Sequence, residues 1–336
     1  MPWTLADDFD RWVNGVDLSW RDDLLHRSGT FRSAATTPVV PLYPDGGSPI
    51  PFEQAGYAAD SPRHFSAPTL IDMGAPVYRI VVHGSQATDR AILDFSDVDI
   101  AVILDDSKQH SPAELRRAVV GLRGLLRAVY AYDSLMHHGL MFYPRSGLDA
   151  YDQSFLPLET LKRSRTLVGD CKLEVIQVSA NRSALASRLR NSIASLRRNF
   201  QRGDYRRSDF HLKRVLSGIL LLPASVLATQ GCFVYKGESF ALARELFTAP
   251  QWELIGRAED IRRKWVRPPK SPLGSFLTSW LHPRHRITWE KRFPPRGNTL
   301  SLFDSRSDPL ADSASACLER LEYIITEHSP FRARTT

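Results

Sequence analysis

HGSQATDRAILDFSDVDIAVIL, residues His83 to Leu104, places two aspartates one residue apart at the head of an apolar run. A Gly-Ser pair stands upstream of them, separated by the eleven residues Gln86 to Ser96. Successive side chains of a strand point to opposite faces, so Asp97 and Asp99 share one face while Val98 and Ile100 share the other. Two carboxylates held that close repel and raise each other's pKa, an unfavourable device for structure alone.

A divalent cation removes that conflict. Mg²⁺ prefers oxygen ligands and is commonly held by one or two carboxylates together with phosphate oxygens and water. Gly84 and Ser85 would supply backbone N–H groups and a hydroxyl close to such phosphates, the glycine permitting close approach.

Outward from this stretch, Val77–Val82 (VYRIVV) is β-branched and apolar and predicts a strand ending at the His83-Gly84-Ser85 turn. SDVDIAVILDD is the second strand. A helix follows from Ser111, with Pro112 at its first position, Glu114 completing a capping box, and Leu115, Val119, Leu122 and Leu126 on one stripe. SLMHHGLMFY predicts a third strand, with His137 and His138 in its middle and Asp133 at its start. Strands and helices mixed in this order predict an α+β catalytic domain over residues 66–170.

Residues 1–65 open with a short helix near Ala6–Val16. They then run through a stretch rich in Pro, Gly and Ser, which predicts an irregular wrapping segment. Residues 171–336 predict an α-helical domain. There Leu185, Leu189, Ile193, Leu196 and Phe200 form an apolar stripe beneath several arginines, and a second, mostly buried helix is expected to break or end near Pro223. Trp252, Trp265 and Trp280 are read as packing residues. Lys213 is read as a solvated helix residue, and YDQSFLPLETLKRSR, residues 151–165, as a connecting segment that can form part of an acceptor wall.

The turn, the spacing and the Asp97-Val98-Asp99 triplet together resemble the signature of the DNA polymerase beta-like nucleotidyltransferase superfamily. The resemblance implies a mixed sheet with flanking helices, followed here by the helical domain. It implies that Gly84 and Ser85 bind a nucleoside triphosphate, ATP among the candidates, and that Asp97 and Asp99 hold two metal ions, Mg²⁺ or Mn²⁺. An acceptor hydroxyl of a small molecule, an RNA end or a protein would then attack the α-phosphorus. By the same resemblance, Lys236 and Ser239 of VYKGESF are candidates to close on the phosphates, at a helix start that also favours an anion by its dipole.

One departure stands out. Members of the superfamily often carry a third carboxylate on the next strand, where this chain has His137 and His138. Either Asp133 reaches the metal, or a histidine acts as ligand or general base, or the protein is an impaired, nucleotide-binding regulator. His83 is read as a positioning residue.

The chain has 336 residues and a formal net charge of +7, with Lys and Arg 44 against Asp and Glu 37, a balance that suits polyanionic partners. The arginines between Arg182 and Arg207 are candidates for RNA contact. Cys171, Cys232 and Cys317 are too scattered for a disulfide framework or a paired metal motif and are read as incidental thiols. No apolar run of about 20 residues is evident and the N-terminus is acidic, so no membrane partner and a cytoplasmic location are expected. Base preference and oligomeric state are not legible.

Overall fold

The structure, a computed structural model, describes residues 5–15, 49–57, 65, 73–93, 95–133, 135–136, 138–154, 156–178, 180–266, 296–303 and 308–327. The chain forms two compact units. Among the described residues the first takes those up to Asp152 and 162–178, and the second takes 153–161 and everything from 180 onward. The division differs from a cut at residue 171, because strands lying just beyond that point belong to the first unit.

In the first unit, helix α1 (Leu5–Phe9) continues through a wide π-type turn to Asn14. Strands β1 (Ile50–Glu53), β2 (Val77–His83), β3 (Asp99–Leu104), β4 (Met141–Pro144), β5 (Tyr151–Asp152), β6 (Arg165–Val168), β7 (Lys172–Val175) and β8 (Gln177–Val178) follow, with helix α2 (Pro112–Tyr132) between β3 and β4. The main sheet is mixed, in the order β4-β3-β2-β6. Strand β4 runs parallel to β3, and the other pairs are antiparallel. Strands β1 and β7 form a separate antiparallel ribbon, and β5 and β8 a short parallel pair. This is the expected α+β class.

Helix α2 has the expected start, with the Ser111 and Glu114 side chains satisfying each other's backbone N–H groups. Its stripe of Leu115, Val119, Leu122 and Leu126 packs on Ile80, Val82, Ile100, Val102 and Leu104 of the sheet, and Phe9, Trp12 and Val13 complete the same core. The N-terminal region therefore contributes a packed element and strand β1, not only an irregular wrap. On the opposite face of the sheet, Arg79 is fully buried. Its guanidinium donates to Gln54 Oε1 (3.0 Å) and to the Lys172 carbonyl (2.5 Å), which ties the β1–β7 ribbon to the sheet. Burial lowers the pKa of that guanidinium.

The second unit is helical: α3 (Arg182–Arg202), α4 (Asp209–Thr229), α5 (Lys236–Arg244), α6 (Ala249–Arg263), α7 (Gly297–Phe303) and α8 (Ala311–Thr326). Helix α3 buries Leu185, Leu189, Ile193 and Leu196 and exposes Arg188, Arg190, Arg198 and Arg202. Helix α4 runs unbroken through Pro223, contrary to the expected break, because packing on both sides outweighs the one lost hydrogen bond. By length and composition α4 could cross a membrane, a property missed in the sequence, yet most of it is buried among its neighbours. It also holds Asp209 and Lys213 at no measurable exposure, so Lys213 is a core residue and not a solvated one. Trp252 packs edge-on against Phe240 and Phe247, and Trp265 is buried, while Trp280 lies outside the described residues. Cys317 is buried, its thiol pushed up to about 12 by desolvation, and Cys171 and Cys232 are half-buried free thiols.

Candidate active site

Strand β2 ends and β3 begins at the same edge of the sheet, where His83 pairs with Asp99 across the antiparallel ladder. Val98 and Ile100 have no exposed surface and belong to the core beneath α2, whereas Asp97 and Asp99 keep part of their side chains exposed. The alternation read from the sequence thus sets both carboxylates on the face away from α2.

The chain leaves β2 through a 3-10 turn, Gly84–Ala87. Gly84 has φ +69°, and a Cβ placed on it would stand 2.4 Å from Asp99 Oδ2. Backbone geometry and the carboxylate both require glycine here. Ser85 is half-buried in the same turn.

Two residues that sequence reading did not single out brace this loop. Gln86, buried, accepts from the Phe65 N–H and donates to Tyr132 Oη (3.2 Å) and the Ser96 carbonyl (3.5 Å), next to Asp97. Arg165 donates from Nε to the Ala87 carbonyl at 2.9 Å. Gln86 adjoins the Gly-Ser pair and so had a local signal. Arg165 had none, being brought in by the pairing of β6 with β2.

His138 lies just before β4 and not within a strand, because β4 starts only at Met141. Its Nε2 is 3.1 Å from Asp99 Oδ1 and 4.0 Å from Asp97 Oδ2. Burial alone would depress its pKa. The Asp99 hydrogen bond and the charges of Asp99 and Asp97 win instead, holding it at about 9, so the imidazole is cationic at neutral pH. An ordinary histidine pKa near 6.5 was expected to suit a general base, and in this state the ring is instead a proton carrier. Burial likewise pushes the Asp99 carboxyl up, but the hydrogen bond and charge of His138 hold it below the ordinary range. His83 behaves oppositely. It is buried, its Nε2 has no hydrogen-bond partner among the described residues, and desolvation lowers its pKa.

The other candidates fall elsewhere. Asp133 is buried at the end of α2, with Oδ1 accepting from the Leu135 N–H at 3.0 Å. His137 lies outside the described residues. Lys236 and Ser239 open α5 in the second unit, where Ser239 is fully buried and its hydroxyl donates to the Lys236 carbonyl at 2.6 Å.

Among the described residues, no three His, Cys, Asp or Glu side chains form a metal-ligand cluster. Asp97 and Asp99 still fit one hard divalent cation, which commonly takes only one or two protein carboxylates and completes its shell with water and phosphate. The Gly84 cradle keeps space open beside Asp99 Oδ2. A second cation would call for another oxygen donor, and the group that meets Asp99 is the His138 ring.

Residues 69–135 match the family model described as nucleotidyltransferase domain, a stretch that takes in Gly84, Ser85, Asp97, Asp99 and Asp133 and stops short of His138. No curated protein and no solved structure matches the chain.

Proposed function

We propose that the protein transfers a nucleoside monophosphate from a nucleoside triphosphate to an acceptor hydroxyl and releases pyrophosphate. The observation that carries this reading is Asp99 set against the Gly84 turn, with Asp97 and Asp99 both meeting the His138 ring. In the reaction the acceptor oxygen bonds to the α-phosphorus, the bond to the bridging α–β oxygen breaks, and the hydroxyl proton passes to water.

Asp97 and Asp99 would hold a divalent cation, Mg²⁺ or Mn²⁺, which when bound supplies the positive charge that neutralises the triphosphate and the departing pyrophosphate. The Gly84-Ser85 turn presents backbone N–H groups to phosphate oxygens. His138, hydrogen-bonded to Asp99, orients that carboxylate. Of the three acceptor classes, an RNA end best suits the chemistry of α3, which carries six arginines and no acid along its length.

A second reading has its own observation in favour. The ion pair of His138 with Asp99, where relatives often place a third acid, fits a nucleotide-binding regulator that does not turn over. One assay separates the two: metal-dependent pyrophosphate release from each of the four nucleoside triphosphates, with a cell extract as acceptor source. Release with Mg²⁺ that disappears in Asp97→Ala upholds the transferase. Nucleotide binding without release from any of the four rejects it for the regulator.

A further inference from the structure

We propose that Asn14, far away in the sequence, is a positioning residue that sets where His138 stands against Asp99. The proposal rests on the transferase reading for its kinetic consequence and on geometry for the rest.

The residues that follow His138 are clamped by one side chain. Asn14 Oδ1 accepts from the Leu140 N–H at 3.0 Å, and Asn14 Nδ2 donates to the Leu140 carbonyl at 2.7 Å. A side-chain amide carries the same donor and acceptor as a peptide unit, so Asn14 satisfies both backbone groups of Leu140 immediately before edge strand β4 begins. The second hydrogen of Nδ2 goes to Asp10 Oδ1 at 2.7 Å, which fixes the orientation of the amide. Gly139 is part of the fit. A Cβ at that position would lie 2.1 Å from Asn14 Oδ1, so no larger residue enters without displacing Asn14.

Asn14 is itself held. Arg123 of α2 donates from Nε to the Trp12 carbonyl (2.9 Å) and from Nη2 to the Gly15 carbonyl (3.4 Å), capping the end of the turn that presents Asn14. His138 closes the chain of contacts, with Nδ1 at 3.1 Å from the Gly139 carbonyl and Nε2 on Asp99. The core helix α2 and the N-terminal turn therefore fix the backbone from which the His138 ring reaches the carboxylates.

The test is a double-mutant cycle on the full chain: native, Asn14→Ala, His138→Ala and the pair, with kcat from pyrophosphate release and nucleotide Kd from equilibrium dialysis. Misplacing a reacting group by about an ångström lowers turnover by up to about 100-fold, so Asn14→Ala is expected to lower kcat about 10- to 100-fold at unchanged nucleotide Kd. Once His138 is alanine, Asn14→Ala should remove less than about a further twofold, because the two act as one unit. Undiminished loss in the double variant, a loss confined to Kd, or native kcat in either single variant overturns the proposal. If Asn14→Ala does not fold, Gly139→Ala attacks the same clamp from the other side and takes its place in the cycle. If the native chain releases no pyrophosphate, the transferase reading alone has failed. The clamp is then read from the imidazole ¹⁵N resonances of His138, which shift in Asn14→Ala if Asn14 positions the ring and stay in place if it does not.

Discussion

Asp99 in the first unit and Asp209 in the second are both aspartates at the start of a regular element, yet they are used in opposite ways. Asp209 is wholly buried and its two oxygens take four hydrogen bonds, from the Asn298 N–H and Nδ2 and from the Thr299 N–H and Oγ1, at 2.6–3.1 Å. Among the described residues Asp99 takes one side-chain hydrogen bond, from His138, and it faces a glycine that leaves its other oxygen room. A carboxylate has about four lone-pair sites. Filling all of them with fixed donors makes a structural knot, and leaving most of them open reserves capacity for a ligand.

The contrast is broken or sharpened most strongly by making the same substitution in both places. Asp99→Asn would remove a proposed cation ligand and should lower metal-dependent pyrophosphate release about a thousandfold, the scale of losing several kcal/mol of charge stabilisation, while the thermal midpoint stays within a few degrees. Asp209→Asn should do the reverse. Its amide hydrogens would oppose the donors of Asn298 or Thr299, and leaving those buried groups unsatisfied costs about 3 kcal/mol in chemical denaturation, with turnover retained by the folded fraction. Equal effects of the two substitutions on both readouts would erase the distinction.

Gly84→Ala tests the open oxygen more gently. The added methyl would press on Asp99 Oδ2 from 2.4 Å at a positive φ, so a loss of about 1 kcal/mol in stability and about tenfold in turnover is expected. Unchanged turnover in a folded Gly84→Ala protein would show that the space beside Oδ2 is unused.

How far such sites can be read in advance follows from how local their causes are. Asp99, Gly84 and the Ser111 cap are set by alternation, turn geometry and capping within a few residues, and each stands in the structure where the pattern put it, whereas Asp97, expected within the strand, lies two residues ahead of it. His138 was singled out, but in the middle of a strand, since the apolar run around it does not reveal that pairing starts only at Met141. Asn14 carried no signal at all. Its partner Leu140 is 126 residues away, and a polar residue in a short helix looks like any solvated position until the fold is closed. Lys213 was misread for the same reason. A lysine at helical spacing implies solvent unless the neighbours that bury it are known. Likewise Pro223 suggests a break that tertiary packing overrides.

The smallest expected effect concerns a second knot, Asp308, which accepts from Tyr205 Oη, Arg206 and the Leu310 and Ala311 N–H groups. Burial pushes its carboxyl up, but the Tyr205, Ala311 and Arg206 hydrogen bonds outweigh it and hold the pKa below its ordinary 3.8. A pKa depressed by folding means that the stabilisation is present above the unfolded value and is lost as pH falls through the folded one. The native protein should therefore lose this contribution below about pH 4, while Asp308→Asn, less stable at neutral pH, shows a flatter acid limb that converges on the native curve. Denaturation midpoints measured from pH 7 to about pH 3 would show it. A gap of constant size across that range would mean that the shape of the side chain, and not its charge, ties Tyr205 and Arg206 together. Asp99 is held low as well, though by an imidazole that can itself lose its proton instead of by Tyr205, the Ala311 N–H and Arg206. What separates knot from site is therefore not the direction of the shift but whether the group causing it can let go.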